Sequence, residues 1–371
     1  MKIVILQGAF LPVPPVLGGA VEKIWFKIGK EFAALGNEVV HISRSWPSLP
    51  SEEMIEGVKH IRVKGFQTPS GMLKLKLLDL IYTIRAIRKI PSDADIVITN
   101  TFWAPIFMPK RKKQKIYVDV QRMPKGQMRF YRKAARLRAN SSSVSNAIME
   151  ELKTDDLKQV VMIPNPLPFD VKKETEHTKK QQIILYAGRV HPEKGLDLLI
   201  QAVKKMNTDW VLKIVGPWDI GAGGGGDAYL ARLKGMADGM KIEFVGPVFD
   251  VEKLNSYYED AAIFVYPSVA EKGETFGLAP LEAMAWGCAP VVSNLTCFHD
   301  FIKNEENGLI FDHRSADAVN RLADAVNRLQ QEEGLYQRLA QKALEVRKSH
   351  SSAAIAALFL EEFVNQLTNK K

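Results

Sequence analysis

The sequence predicts an α/β protein with two doubly wound parallel-sheet domains facing a cleft. Three observations carry that expectation. Short β-rich runs alternate with longer amphipathic stretches, a proline-rich break at Pro164-Asn-Pro-Leu-Pro168 interrupts the alternation, and the same pattern then restarts. The 371 residues suffice for two ordinary domains, each with its own core.

In the first half Ile3–Leu6 reads as a strand and Val21–Leu35 as a helix ending near Gly36. Glu38–Ile42 and Lys59–Val63 are strands, a helix follows from about Lys74 to Arg88, and Asp95–Thr99 and Lys115–Val120 are strands again. Val160–Ile163 leads into the break, and the polar run Lys172–Lys180 completes a linker. In the second half Ile183–Ala187, Trp210–Val215 and Lys241–Val245 are strands ending at Gly188, Gly216 and Gly246, with a helix over Asp197–Met206. Strands at Ala262–Tyr266 and Val291–Ser293 flank an apolar helix that starts near Gly277. The last helix, Ser352–Leu367, places Ile355, Leu358, Phe359, Phe363, Val364 and Leu367 along one face. Its pattern alone allows it to pack on either domain. The domains are thus 1–168 and 169–351, followed by helix 352–367.

Apolar content of 46% and charged content of 25% are those of a soluble globular protein. No run approaches the roughly 20 apolar residues that span a bilayer. Met1–Leu6 is only strand-length and meets Gln7 and Gly8 before a signal-peptide core forms, so a cytoplasmic location is expected. Two cysteines, Cys288 and Cys297, suggest neither a disulfide framework nor a zinc site, and Cys288 in its apolar run reads as a buried thiol.

Charge is uneven. Residues 1–170 hold 27 Lys and Arg against 15 Asp and Glu, and residues 171–371 hold 24 against 27, so balances of +12 and −3 recover the overall +9. Residues 59–138 concentrate the excess, with 20 basic and 4 acidic side chains, among them Lys110-Arg-Lys-Lys113, Lys115 and the helical-looking Arg129, Arg132, Lys133, Arg136 and Arg138. A solvated basic face is one reading. The other is peripheral attraction to an anionic membrane, at its inner face, or to a lipid diphosphate. Nucleic acid is not expected, because no zinc-finger spacing, aromatic RNP string or helix-turn-helix accompanies the charge.

The most informative segment is Glu274-Thr-Phe-Gly-Leu-Ala-Pro-Leu-Glu282. Two carboxylates stand eight residues apart across a Phe-Gly pair that opens an apolar helix, whose first-turn N–H groups favour phosphate. Donors for a diphosphate thus lie between acceptors for vicinal hydroxyls; either Glu is otherwise a solvated helix residue. Gly188-Arg-Val-His-Pro-Glu-Lys-Gly195 joins a strand to a helix, where Arg189 and Lys194 are placed to share one diphosphate, and His191 and Glu193 read as loop-forming residues. Gly18-Gly19 precedes the first helix and permits close backbone approach to a phosphate, or simply a turn; Glu22 fits a first-turn acid.

Two patterns are set aside. Gly221-Ala-Gly-Gly-Gly-Gly226 satisfies the dinucleotide fingerprint, and hence a dehydrogenase, but Pro217–Ile220 separate it from its strand. It is expected to be a mobile loop near the cleft. Asp93-Ala-Asp95 mimics a metal-binding pair yet precedes a strand where turn residues belong, so no metal is expected.

The Glu274–Glu282 string resembles the EX7E motif of retaining glycosyltransferases of the GT-B fold, family 4, and the Gly188–Gly195 loop is similar to that family's G-R-x-x-x-x-K-G element. The resemblance implies two Rossmann-like domains, with the last helix crossing back onto the first domain. It implies a donor site in which Glu274 contacts sugar hydroxyls and Glu282 the ribose, and amides at Phe276, Gly277 and Leu278 face sugar and phosphate. In the same way Arg189 and Lys194 grip the pyrophosphate, Gly19, helped by Gly18, reaches across the cleft toward it, and Val248 neighbours the base. The activity implied is transfer of a hexose from a nucleotide diphosphate sugar, UDP-sugar favoured over GDP and ADP, to a carbohydrate or lipid-linked acceptor, without a cofactor. The chain departs from the family in lacking a first-domain histidine beyond His41 and His60; Asp119 or Gln121 occupies that acceptor-side position. Alternatives are a sugar-nucleotide epimerase or hydrolase on the same fold, or a non-catalytic basic membrane or nucleic-acid binder.

Overall fold

A computed structural model describes residues 1–111, 113–153, 159–170, 180–206 and 208–368. The chain divides into two compact units, Met1–Pro168 with His350–Lys371, and Phe169–Ser349. Apart from Lys180, the expected linker Lys172–Lys180 lies outside the described residues, as does Lys112.

The first unit runs β1 (Lys2–Leu6), α1 (Ala20–Ala34), β2 (Glu38–Arg44), β3 (Glu52–Ile55), β4 (Val58–Val63), α2 (Met72–Ile87), β5 (Ile96–Thr99), α3 (Ala104–Phe107), β6 (Lys115–Val120), β7 (Arg136–Ala139), α4 (Ser142–Leu152) and β8 (Val160–Met162). Among the described residues these form an eight-stranded sheet in the order β3-β4-β2-β1-β5-β6-β7-β8. Apart from β3 the pairings are parallel. The antiparallel β3 was not legible beforehand: Glu56 and Gly57 both take positive φ, 46° and 81°, and close a two-residue hairpin onto β4.

The second unit runs β9 (Gln181–Ala187), α5 (Leu196–Met206), β10 (Val211–Val215), α6 (Gly226–Met236), β11 (Ile242–Gly246), α7 (Val251–Asp260), β12 (Ala261–Tyr266), α8 (Leu278–Ala285), β13 (Ala289–Ser293), β14 (Leu309–Phe311), α9 (Ala318–Gln331), α10 (Glu333–Ala343) and α11 (Val346–Ser349). Its parallel sheet has the order β11-β10-β9-β12-β13-β14. In both sheets the order reverses beside the first strand, the doubly wound arrangement in which ligands bind beyond the carboxyl ends of the strands.

The final helix, α12 (Ser352–Thr368), packs on α1 in the first unit, where Phe359 meets Trp25 at 5.2 Å and Phe363 meets Phe32 at 5.8 Å between ring centres. Its buried residues are Ser352, Ile355, Ala356, Phe359 and Phe363, with Leu367 packed against the same core, whereas Leu358 and Val364 point outward at 42% and 47% exposure. The expected six-residue face is therefore narrower than read.

Two further expectations are corrected. The basic stretch after Arg129 is not a helix, because Arg136 and Arg138 sit on β7. Arg138 is buried and ion-paired to Asp119 at 2.7 Å, so it belongs to the interior and not to a basic face. The Gly221–Gly226 loop is not loose: Gly225 N–H donates to Val190 O, Gly226 N–H to Trp218 O and Gly224 N–H to Asp219 O, each within 2.8 Å. Asp93 and Asp95 both engage Lys2, through its ammonium at 2.6 Å and its backbone N–H at 2.8 Å. No helix among the described residues is long and apolar enough to cross a membrane.

Candidate active site

The site of the second unit is assembled at the carboxyl ends of β9, β10 and β12. Strand β9 ends at Ala187, and Gly188 and Gly216 stand so close that a Cβ on Gly216 would overlap the carbonyl of Gly188. The chain then turns through a short helical turn, Pro192–Lys194, capped by the His191 ring, which accepts from Glu193 N–H at 3.3 Å. Gly195 follows with φ +69° against the Pro267 carbonyl, leaving no space for a side chain. That turn aims Lys194 inward. Its ammonium lies 2.7 Å from Glu274 Oε2, with side-chain exposures of 6% and 11%, and 5.4 Å above the Tyr266 ring.

Arg189 stands on the same loop. Its guanidinium pairs with Glu193 at 2.7 Å and donates to the Gly223 carbonyl, so the glycine-rich loop serves as its seat. Tyr186 donates from its hydroxyl to the Arg189 carbonyl at 2.8 Å and stacks on Tyr266 with 5.6 Å between rings. The Tyr266 phenol lies close enough to Glu274 to feel its charge. Burial first, and the nearby Glu274 second, push the Tyr186 and Tyr266 hydroxyls well above their ordinary range, so both remain neutral donors.

Glu274 is followed by Phe276, buried against Phe301, and Gly277, whose φ of +84° caps α8. A Cβ there would strike the Phe298 ring. Gly277 offers α8 no side-chain cap, and Pro280 in its first turn lacks an N–H, so the first-turn donors beyond Gly277 are the Leu278 and Ala279 amides. Glu282, in the second turn, accepts from Tyr258 at 2.9 Å, and Tyr258 continues through Phe264 to Tyr266. Val248 is half-buried in the loop between β11 and α7, near Gly246, which abuts Trp218.

The structure thus joins Lys194 directly to Glu274, places Arg189 on the same loop, and connects Glu282 through a row of aromatic rings. Sequence reasoning missed that row. A tyrosine at or near the end of β9, β12 and α7 was its only trace, and its role depends on contacts between elements.

The remaining candidates lie in the first unit. Gly18 and Gly19 have φ of +78° and +95° ahead of α1, and the carboxylate of buried Glu22 folds back over Gly19. Burial raises the Glu22 carboxyl, opposed by its own backbone hydrogen bond and by Arg122. Asp119 is enclosed: it accepts from Trp25 Nε1 at 2.7 Å, from Arg138 and from Gln121 Nε2 at 2.9 Å. It therefore positions Gln121 and does not present its own oxygens. Gln121 is one of a series that sequence reading overlooked. Gln7, Asn100, Gln121 and Asn140 each directly follow β1, β5, β6 and β7, four adjacent strands. Asn100 donates to Gln7 and Asn140 to Gln121, while the Oδ1 atoms of Asn100 and Asn140 are buried without a donor among the described residues.

Residues 169–346, which carry Arg189, Lys194, Glu274 and Glu282, match the model of glycosyl transferases group 1. They form a glycosyl transferases group 1 domain. Among curated relatives of the chain, an uncharacterized glycosyltransferase of Methanocaldococcus jannaschii is 30% identical over 196 residues, 48% of each chain. A lipopolysaccharide core biosynthesis mannosyltransferase of Rhizobium leguminosarum is 29% identical over 36% of this chain and 37% of its own. A phosphatidyl-myo-inositol mannosyltransferase of Mycobacterium tuberculosis is 31% identical over 43% and 40%. The chain spans about half the length, or less, of these relatives. Among solved structures, sucrose-phosphate synthase from Thermosynechococcus elongatus superposes over both whole chains with a TM-score of 0.77 at 21% identity. Anabaena HepE, in complex with UDP and glucose, superposes over 98% of this chain and 100% of its own with a TM-score of 0.70 at 17% identity. At such identities the likeness shows the fold, which is the two-domain Rossmann-like GT-B fold. The group 1 domain coincides with the second unit described above, apart from its last three residues.

Proposed function

We propose that the protein is a retaining family 4 glycosyltransferase that moves a hexose from a nucleotide diphosphate sugar, UDP-sugar first, to an alcohol on a carbohydrate or lipid-linked acceptor. The observation that carries this reading is the Lys194–Glu274 pair beside the glycine-started α8 within a group 1 domain. Arg189 and Lys194 hold the diphosphate and stabilise the charge on the departing nucleotide. Glu274 accepts from sugar hydroxyls, Glu282, oriented by Tyr258, accepts from the ribose, and the Leu278 amide supports sugar or phosphate. Gly18, Gly19, Phe276, Gly277 and Val248 enter through the family resemblance. The acceptor hydroxyl attacks on the face from which the diphosphate leaves, and a phosphate oxygen takes its proton, so the carboxylates position substrate and do not form the nucleophile–acid couple of a hydrolase.

The amide series at Gln7, Asn100, Gln121 and Asn140 suits a hydroxylated acceptor, and relatives named for lipopolysaccharide and phosphatidyl-myo-inositol mannosyl transfer support a glycan or glycolipid. Exposed Met72, Leu73 and Leu77 alternate with exposed Lys74 and Lys76 at the start of α2, which supports peripheral contact with an anionic membrane. No metal takes part in this reading.

Thermal shift with UDP, GDP, ADP and UDP-glucose tests it. A nucleotide diphosphate or its sugar is expected to raise the melting temperature of the wild type, and Lys194→Ala to remove most of the rise. No stabilisation of the wild type, or an equal shift in the variant, overturns the reading. Rapid donor breakdown without any acceptor instead favours a hydrolase.

A further inference from the structure

A cavity lies at the end of the Phe169–Ser349 unit opposite the Lys194–Glu274 pair. Gln181, Trp210 and Ala262, at or beside the starts of β9, β10 and β12, line a space of about 610 Å³, within the range of small-molecule sites. Strand β9 spans seven residues, so at about 3.3 Å per residue this amino edge stands roughly 20 Å from the edge that carries Arg189. The other walls are Trp286, at the end of α8, and the facing sides of α9 and α10.

Helix α10 contributes two neighbouring rows with four-residue spacing. Glu333, Gln337 and Gln341 form an exposed polar row, while Tyr336, Ala340 and Leu344, just past its end, form a half-buried apolar one. Five of the lining residues are glutamines and three are large aromatics. The cations among them face backbone carbonyls. Lys180 donates to Tyr258 O and Trp286 O at 2.9 and 2.7 Å, and Arg347 Nε donates to Ala285 O at 2.6 Å. Glu333 accepts from Gln337 at 2.8 Å. The Trp286 indole N–H, on the cavity wall, is buried with no acceptor among the described residues.

That lining selects one ligand chemistry. An acyl chain would strip water from the glutamine amides and return no hydrogen bonds, which is unfavourable for each amide covered. A phosphate would find cations already turned toward carbonyls. A pyranose presents C–H faces and a rim of neutral hydroxyls, which match aromatic walls edged by amides. We propose that this cavity binds a neutral oligosaccharide, its ring faces on Trp210, Trp286 and Tyr336 and its hydroxyls on Gln181, Gln337 and Gln341. The binding is independent of the transferase reading. Its use, holding a distant part of a glycan acceptor, rests on that reading.

Calorimetric titration with maltohexaose, cellohexaose and mannohexaose, together with tryptophan fluorescence, tests the assignment. At least one is expected to bind with Kd near or below about 1 mM. Trp210→Ala, and separately the doubly exposed pair Gln337→Ala/Gln341→Ala, are expected to weaken it about tenfold, while Lys194→Ala leaves it unchanged. Both glutamines are exposed, so the pair keeps the test valid if Trp210→Ala fails to fold. Absence of saturable binding for all three sugars overturns the proposal. So does binding that survives in the glutamine variant, or binding lost in Lys194→Ala, which places the sugar in the donor site.

Discussion

Removing the carboxylate of Asp119 is expected to destabilise the first unit severely. Asp119 and Arg138 are 2.7 Å apart with side-chain exposures of 0% and 1%, and the Arg138 guanidinium lies 5.4 Å from the Phe359 ring. Asp119→Leu leaves that guanidinium charged inside the fold, donating to the neutral Asn165 Oδ1 at 2.9 Å. It also orphans the Trp25 indole N–H. Breaking a buried pair from one side costs about 3–5 kcal/mol, much of a domain stability of about 5–15 kcal/mol. The melting temperature of a unit this size then falls by about 10 °C. Replacing both partners, Asp119→Leu with Arg138→Met, removes the stranded charge and is expected to recover at least about 2 kcal/mol relative to the sum of the single losses. Urea unfolding of wild type, both single variants and the double variant, followed by circular dichroism, measures the cycle. A loss below about 1 kcal/mol for Asp119→Leu, or strict additivity in the double variant, refutes the argument.

Four further outcomes are expected. Gly277→Ala places a Cβ against the Phe298 ring at φ +84°, so it should lower both stability and nucleotide-induced thermal shift; an unchanged shift removes the geometric claim for α8. Tyr258→Phe deletes the donor to Glu282 and should weaken UDP binding by about 0.5–1.5 kcal/mol, up to roughly tenfold by calorimetry, with no change if Glu282 needs no orientation. Stability of the first unit should fall with acid. Burial pushes His60 and His350 down to about 4 and His41 well below its ordinary 6.5, so the unfolded chain binds more protons between about 6.5 and 4 and stability is lost as pH drops through that window. Asp79, raised by burial from 3.8 to about 6, gains stability as pH falls and offsets part of this; a urea midpoint that does not fall between pH 7 and pH 5 contradicts the net sign. Leu73→Glu, at a residue 86% exposed, should reduce sedimentation with phosphatidylglycerol vesicles without lowering stability, and equal binding by both proteins excludes α2 as the contact.

What was legible in the sequence follows from range. Strands such as Ile3–Leu6 and Ala262–Tyr266 announce themselves through local apolar runs closed by glycine or polar breaks, and the paired acids around Gly277 are local too. Apart from β3, hidden in a local Glu56–Gly57 turn, the failures are tertiary. The spacing of Arg129, Arg132, Lys133 and Arg136 imitates a helical face, yet β7 claims Arg136 because it pairs with β6, and Arg138 is buried because Asp119 on that neighbouring strand receives it. A run of four glycines suggested looseness, but its amides and carbonyls are taken up by Val190 and Arg189, far back along the chain, and by nearby Trp218. The Tyr258 and Tyr266 hydroxyls acquire meaning only when α8 and its preceding loop bring Glu282 and Glu274 to them.

The ion pairs within the site explain how buried charges can wait for a substrate. Lys194 and Glu274 neutralise each other at 2.7 Å, and the partly exposed Arg189 and Glu193 do the same on the loop that carries Lys194. On the proposed reading, a ligand that offered only a diphosphate would draw Lys194 toward itself and leave the Glu274 carboxylate, 11% exposed, without its partner. A ligand that offered only a sugar would satisfy Glu274 and strand Lys194. A nucleotide diphosphate sugar replaces both partners in one event, phosphate oxygens for the cation and hydroxyls for the acid, so no charge is left uncompensated. On that reading the pairing is also a filter, because half a substrate costs more to accommodate than a whole one.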